Sequence, residues 1–151
     1  MMLVSTSRKP NDKTRQFARL FARVSCSFIK NRGKSNLDEV LVEAEKLGCD
    51  RIAIVSEKHG AIDEISVFSH EGWQNPVIKV LGHKGTDNLP RRLPTKEVVC
   101  IGDDRVADVF GFLKSEKDAE SAQPVMLAAS EKELVFTLGG EVLLSIKRGV
   151  K

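Results

Sequence analysis

Nine cations stand within the first 34 residues of this 151-residue chain: Arg8, Lys9, Lys13, Arg15, Arg19, Arg23, Lys30, Arg32 and Lys34. One acid, Asp12, stands among them, so the segment carries a net charge of +8. The rest of the chain, with 15 bases and 20 acids, carries −5, a division that the whole-chain value of +3 conceals. Ordinary surfaces intersperse the two signs so that neighbours pair. Bases gathered almost without acids instead make a field suited to phosphates. Arg suits that task because its planar fork grips phosphate with two hydrogen bonds or stacks on an unpaired base. The chemistry on offer is recognition of a polyanion, with RNA as the expected ligand.

No other set of residues carries comparable chemistry. There is no Gly-rich phosphate loop, and Gly139-Gly140 lacks both the Lys-Ser/Thr and the following helix that one needs. His59, His70 and His83 each stand alone, and His70-Glu71 has no second His at helical spacing. Cys26, Cys49 and Cys100 are odd in number and widely spaced, which argues against a disulfide framework and against a zinc site. Asp103, Asp104 and Asp108 have oxygens suited to Mg²⁺, but helix capping accounts for Asp103-Asp104 more simply. The expectation is a protein that is no enzyme and that needs neither cofactor nor metal. Trp73 reads as a core plug or, in its Gly/Pro-flanked loop, as a base-stacking residue. With no Tyr and 5% aromatic residues, a wide stacking platform is excluded. The 41% hydrophobic and 30% charged composition is that of a globular chain. No apolar run approaches the ~20 residues that span a bilayer. Met1 to Ser5 lacks a signal-peptide stretch, so a cytoplasmic setting is expected.

The elements that must position the cations follow from periodicity. Leu3–Ser7 reads as a strand stopped by Pro10. Asn11 or Asp12 can cap a helix running to about Val24, in which Phe17, Leu20, Phe21 and Val24 share one face. At ~100° per residue Arg15 and Arg19 fall opposite that face, with Arg23 on its flank. Ser25–Ile29 reads as a second strand leading into a turn at Asn31-Arg32-Gly33-Lys34. Asn36 and Glu39 have capping-box spacing for a second helix ended by Gly48. Arg51–Ser56 is a dense apolar run of the kind buried on both faces. Ile62–Ser69 and Val77–Leu81 read as strands split by a Gly72–Pro76 loop, and Gly82–Thr95 as a linker. Beyond it come a strand at Glu97–Ile101, a helix striped by Val106, Val109, Phe110 and Leu113, and strands at Val125–Ala129, Leu134–Leu138 and Val142–Ile146. The pattern predicts a mixed α/β fold of two related lobes, residues 1–84 and 85–151, each a sheet with helices.

Five segments occur in order at compact spacing: Thr6-Ser7-Arg8-Lys9-Pro10, Arg15-Gln16-Phe17-Ala18-Arg19, Asn31-Arg32-Gly33, Ile54-Val55-Ser56-Glu57-Lys58-His59-Gly60 and Ser69-His70. Together they resemble the Brix-domain family of ribosome-biogenesis proteins, in particular the branch serving small-subunit ribosomal RNA processing. The short length is similar to archaeal members. The resemblance covers Leu3 to about Leu81 well and the second half loosely. It implies a non-catalytic factor that binds pre-ribosomal RNA and assists its processing and assembly, with other assembly proteins as partners. It also implies two halves similar to the anticodon-binding domains of some aminoacyl-tRNA synthetases.

Carried over by position, the family's Ser-Arg falls on Ser7-Arg8, its basic helix on Arg15, Arg19 and Arg23, and its Arg-Gly turn on Arg32-Gly33. The full candidate surface is Ser7, Arg8, Lys9, Lys13, Arg15, Arg19, Arg23, Lys30, Asn31, Arg32, Gly33 and Lys34, joined by Lys58 and His59 from the turn after the central strand. Lys34 departs from the aromatic or small residue often found there in relatives. The basic tail of larger members is reduced to Lys147, Arg148 and Lys151, which puts contacts that rely on such a tail in doubt. The same charge would also fit a tRNA-binding accessory module, or an interaction scaffold whose basic face meets an acidic protein.

Overall fold

The computed structural model describes residues 1–149, so Lys151 lies outside them. Its elements, in chain order, are β1 (Met2–Thr6), α1 (Asp12–Val24), β2 (Phe28–Ile29), α2 (Leu37–Lys46), β3 (Arg51–Lys58), β4 (Ala61–Ser69) and β5 (Gly72–Gly85), followed by β6 (Val98–Gly102), α3 (Asp104–Phe110), β7 (Val125–Ala129), β8 (Glu133–Leu138) and β9 (Glu141–Gly149). All nine strands join one mixed sheet in the order β2-β1-β3-β4-β5-β9-β8-β7-β6. β1 runs parallel to β2 and β3, and β6 runs parallel to β7; the remaining pairs are antiparallel. The class is mixed α/β, as the alternation of helical and strand periods requires.

The period of two along β1 and β3 feeds two apolar layers. Met2, Val4, Ala53 and Val55 face the larger layer, while Leu3, Ile52 and Ile54 face a smaller one covered by Val40, Leu41 and Ala44 of α2. That is why these strands read as near-continuous apolar runs. The larger layer crosses from one half of the chain to the other. At its centre Phe21 of α1 is fully buried. Its ring lies 6.3 Å from Phe17, 5.6 Å from Phe110 of α3 and 6.1 Å from Phe136 of β8.

Both N-terminal helices start as their capping residues dictate. Asn11 caps α1, accepting from the Thr14 amide at 2.9 Å. Asn36 and Glu39 form the reciprocal capping box of α2, at 2.9 and 3.1 Å. Three other expectations are corrected. Ser25–Ile29 is a strand only at Phe28–Ile29, because Cys26 takes φ +56° and the Ser27 amide turns back to the Ala22 carbonyl, closing the helix. The helix striped through Leu113 stops at Phe110, where Gly111 adopts φ +74°; Leu113 instead bridges Val99.

The third correction concerns residues 72–95. Gly72–Pro76 is not a loop and Gly82–Gly85 is not linker, because both lie inside the 14-residue strand β5. Cross-strand pairing supplies what local propensity lacks: β4 holds its start, and β9 holds its end from Lys79 to Gly85. Gly85 has a packing reason as well. A Cβ there would come within 2.3 Å of Leu20 Cδ2. Trp73, placed on this strand, is 53% exposed and meets only the edge of Phe68, at 5.1 Å, so it is no core plug.

Because Phe21 joins three elements, Phe21→Ala removes about 3–5 kcal/mol of stability. Urea unfolding measures this, and a loss under about 1 kcal/mol would refute the central role of that ring.

Candidate nucleic-acid interface

β1 and β2 are parallel, so both strands end on the same side of the sheet, at Thr6 and Ile29. In open α/β sheets the crevice outside such carboxyl ends is where ligands collect. Here α1 closes one side of that crevice and the Lys30–Gly33 turn the other. The result is a depression of about 330 Å³ lined by Arg15, Arg19, Lys30, Asn31, Arg32 and Gly33, with Thr6, Pro10, Ala18 and Ile29 completing it. Four of these ten residues are cations and none is an acid.

Each wall is held by specific bonds. Arg15 and Arg19 lie one helical turn apart on the face of α1 opposite Phe17 and Phe21, and both are exposed. The start of that helix is tied to the far end of β3. Glu57 accepts from Thr14 Oγ1 at 2.5 Å and from the Asn11 amide at 3.1 Å, while Asn11 Nδ2 donates to the Gly60 carbonyl at 3.0 Å. These bonds hold the Glu57 carboxyl below its ordinary pKa, the Thr14 hydroxyl contributing most. On the other wall the Ser5 hydroxyl donates to the Lys30 carbonyl at 2.8 Å, and the Lys30 amide to Val4 at 3.0 Å. Gly33 takes φ +55°, which lets the chain turn back toward α2.

Arg32 plays a different part from the one expected of it. It is only 9% exposed, and its Nε and an Nη donate to the carbonyls of Ser35 at 2.7 Å and Thr6 at 3.0 Å. Its guanidinium therefore builds the floor of the depression rather than reaching freely outward. Burial, and secondarily the nearby charge of Arg8, pull its pKa down. Arg8 thus stands close enough to repel it, and an anion in the depression would relieve both costs.

Arg23 is also displaced. Its guanidinium donates to the Pro90 carbonyl, and it lines a separate depression beyond β2. Ser7, Arg8, Lys9, Lys13, Lys34, Lys58 and His59 do not line the first depression. Ser7 is half-buried with its amide on the Val55 carbonyl, and the other six are exposed. Arg15 pairs with Asp12 at 3.2 Å, but both partners are open to solvent and such a pair is weak.

Sequence reasoning missed Thr6. Its residue is buried, and Oγ1 is the one buried side-chain polar atom among the described residues without a hydrogen-bond partner. A hydroxyl at the end of a parallel strand, beside the expected basic turn, was the available signal. Elsewhere, two of the three carboxylates weighed for a cation are otherwise engaged. Asp103 caps α3 and lies 3.2 Å from Arg148 and 3.3 Å from Arg105, while Asp108 holds Lys114 at 2.6 Å. No group of three or more His, Cys, Asp or Glu able to hold a metal occurs among the described residues. No described helix is long and apolar enough to cross a membrane.

Because ionised Glu57 is favoured by folding, its stabilising effect is complete above the usual Glu pKa of about 4.3 and disappears as pH falls through the lowered folded value. Glu57→Gln removes that component of the acid limb of the stability curve, as thermal melts from neutral pH downward record. An unaltered acid limb would refute the anchoring role.

Comparison with known proteins places this geometry among relatives. No protein-family model matches the chain. A protein of Methanosarcina barkeri named "probable Brix domain-containing ribosomal biogenesis protein" is 34% identical over 163 aligned positions covering 99% of each chain. A Methanosarcina mazei protein of the same name is 29% identical over 94% of this chain and 93% of its own. The similarity to one from Methanothermobacter thermautotrophicus, 38% over 77 residues, spans 51% of this chain and 47% of that protein. Two solved structures share the fold. A "probable ribosomal biogenesis protein" of Aeropyrum pernix superposes with a TM-score of 0.79 at 22% identity, over 99% of this chain and 96% of that one. Mil, described as an archaeal Imp4-like protein, gives 0.75 at 24% identity, over 98% and 96%.

Proposed function

This chain belongs to the family of Brix domain-containing ribosomal biogenesis proteins, and from that premise we propose that it binds pre-ribosomal RNA through the depression at the ends of β1 and β2. The supporting observation is chemical. Four cations line one depression whose ten lining residues include no carboxylate. A phosphate group answers that excess of charge. It neutralises Arg15, Arg19 and Lys30 and offsets the mutual repulsion of Arg32 and Arg8.

Contacts of this kind position a nucleic acid without reading its bases. The protein therefore acts as a non-catalytic assembly factor, holding the RNA backbone while pairing and protein addition proceed around it. Ribosomal RNA and other assembly proteins are its partners, and the cytoplasm is its place of work.

Filter binding of ribosomal RNA fragments by Arg15→Glu/Arg19→Glu tests the reading. Affinity falls at least about tenfold, and the slope of log affinity against log salt shrinks by about 1.4–1.8, the share of two phosphates. Affinity equal to that of the unaltered protein would overturn it.

A further inference from the structure

The displacement of Arg23 opens a second question, because the depression it lines is also basic. That depression holds about 420 Å³ between the end of α1, the strand β2 and the segment joining β5 to β6. Arg23, Arg91, Arg92 and Lys96 supply four cations, and no acid lines it. Its apolar surface includes Leu93 and Phe28, the latter 38% exposed on the outermost strand of the sheet. The nearest acid in sequence, Glu97, does not line it; its carboxylate accepts from the amides of Glu120 at 3.1 Å and Ser121 at 2.6 Å.

The cations of the connecting segment are not adrift. Arg23 donates to the carbonyl of Pro90, which immediately precedes Arg91 and Arg92. Cys26 Sγ lies 3.6 Å from the Thr95 carbonyl and 3.9 Å from that of Glu97, pinning the other end of the segment to the turn after α1. A stretch that the sequence offers as a linker is thus fastened to the N-terminal elements, with its cations facing β2.

The two depressions take neighbouring residues of that strand and successive cations of α1. Ile29 and Lys30 line the first, and Ser27 and Phe28 line the second. Successive strand residues face opposite sides of the sheet, so the link between the depressions runs along α1 instead: Arg19 of the first and Arg23 of the second are exposed one helical turn apart. An aromatic face beside a row of cations is the pattern that binds unpaired nucleotides: cations follow the phosphates while bases stack. A duplex presents the same charge but hides its base faces inside its own stack. We propose that single-stranded RNA runs from the first depression along the exposed face of α1 into the second, with phosphates on Arg91, Arg92 and Lys96 and an unpaired base on Phe28. This rests on the RNA reading of the first depression and extends it with residues from the second half of the chain.

The test uses the full chain and fluorescein-labelled oligouridylate of about 12 nucleotides, within the site sizes of single-strand binders. Anisotropy titrations compare the unaltered protein with Arg91→Gln/Arg92→Gln, Phe28→Ala and Arg15→Gln/Arg19→Gln, each checked for folding by circular dichroism. Arg91→Gln/Arg92→Gln weakens binding about tenfold and lowers the salt slope by about 1.4. Phe28→Ala weakens it about fivefold or more with the salt slope unchanged, and a duplex of equal length binds less tightly than the single strand. Loss of binding by the Arg15/Arg19 variant alone, with the other two unaffected, would overturn the second depression and leave the proposed function standing. Equal affinity for duplex and single strand would overturn the stacking role of Phe28. No binding by the unaltered protein to this RNA or to ribosomal RNA fragments would overturn both readings.

Discussion

Phe21 holds the two halves of the chain together, and the direction of the basic surface depends on where it sits. Its ring touches Phe17 on its own helix, Phe110 on α3 and Phe136 on β8, so one side chain links the first and last thirds of the molecule. Burying apolar area is the dominant favourable contribution to folding, and aromatic pairs add a geometric preference to it. That preference fixes the rotation of α1 about its own axis. With Phe17 and Phe21 facing inward, Arg15 and Arg19 have one direction left to them, over the ends of β1 and β2. Helical periodicity turns a requirement of the core into the direction of the cations.

This explains which parts were readable before any coordinates. The spacing of Phe17, Phe21 and Val24, the capping residues Asn11 and Asn36, and the two-sided burial of Arg51–Ser56 are local signals, and each corresponds to an observed element. Arg15 and Arg19 were legible for the same reason, being tied to a strong local period. Lys30, Asn31 and Gly33 followed from the turn that completes the crevice.

What escaped the sequence is governed by distant partners. β5 contains Gly, Pro and His at positions that local rules assign to loops, and only the ladders with β4 and β9 make it continuous. Arg32 and Arg23 look like their neighbours in the sequence, yet backbone carbonyls of Thr6, Ser35 and Pro90 claim their guanidinium groups. Charge counts cannot separate an arginine that greets a ligand from one that braces a turn. Thr6 was overlooked for a related reason: a buried hydroxyl draws notice only once its lack of a partner can be seen.

The shortness of β2 has a further consequence. A sheet margin with unpaired amides and carbonyls invites strands from other copies, the first step toward aggregation. This margin is two residues long and is followed at once by Lys30, a residue type that blunts such edges. So brief an edge gives a neighbouring copy almost nothing to zip onto.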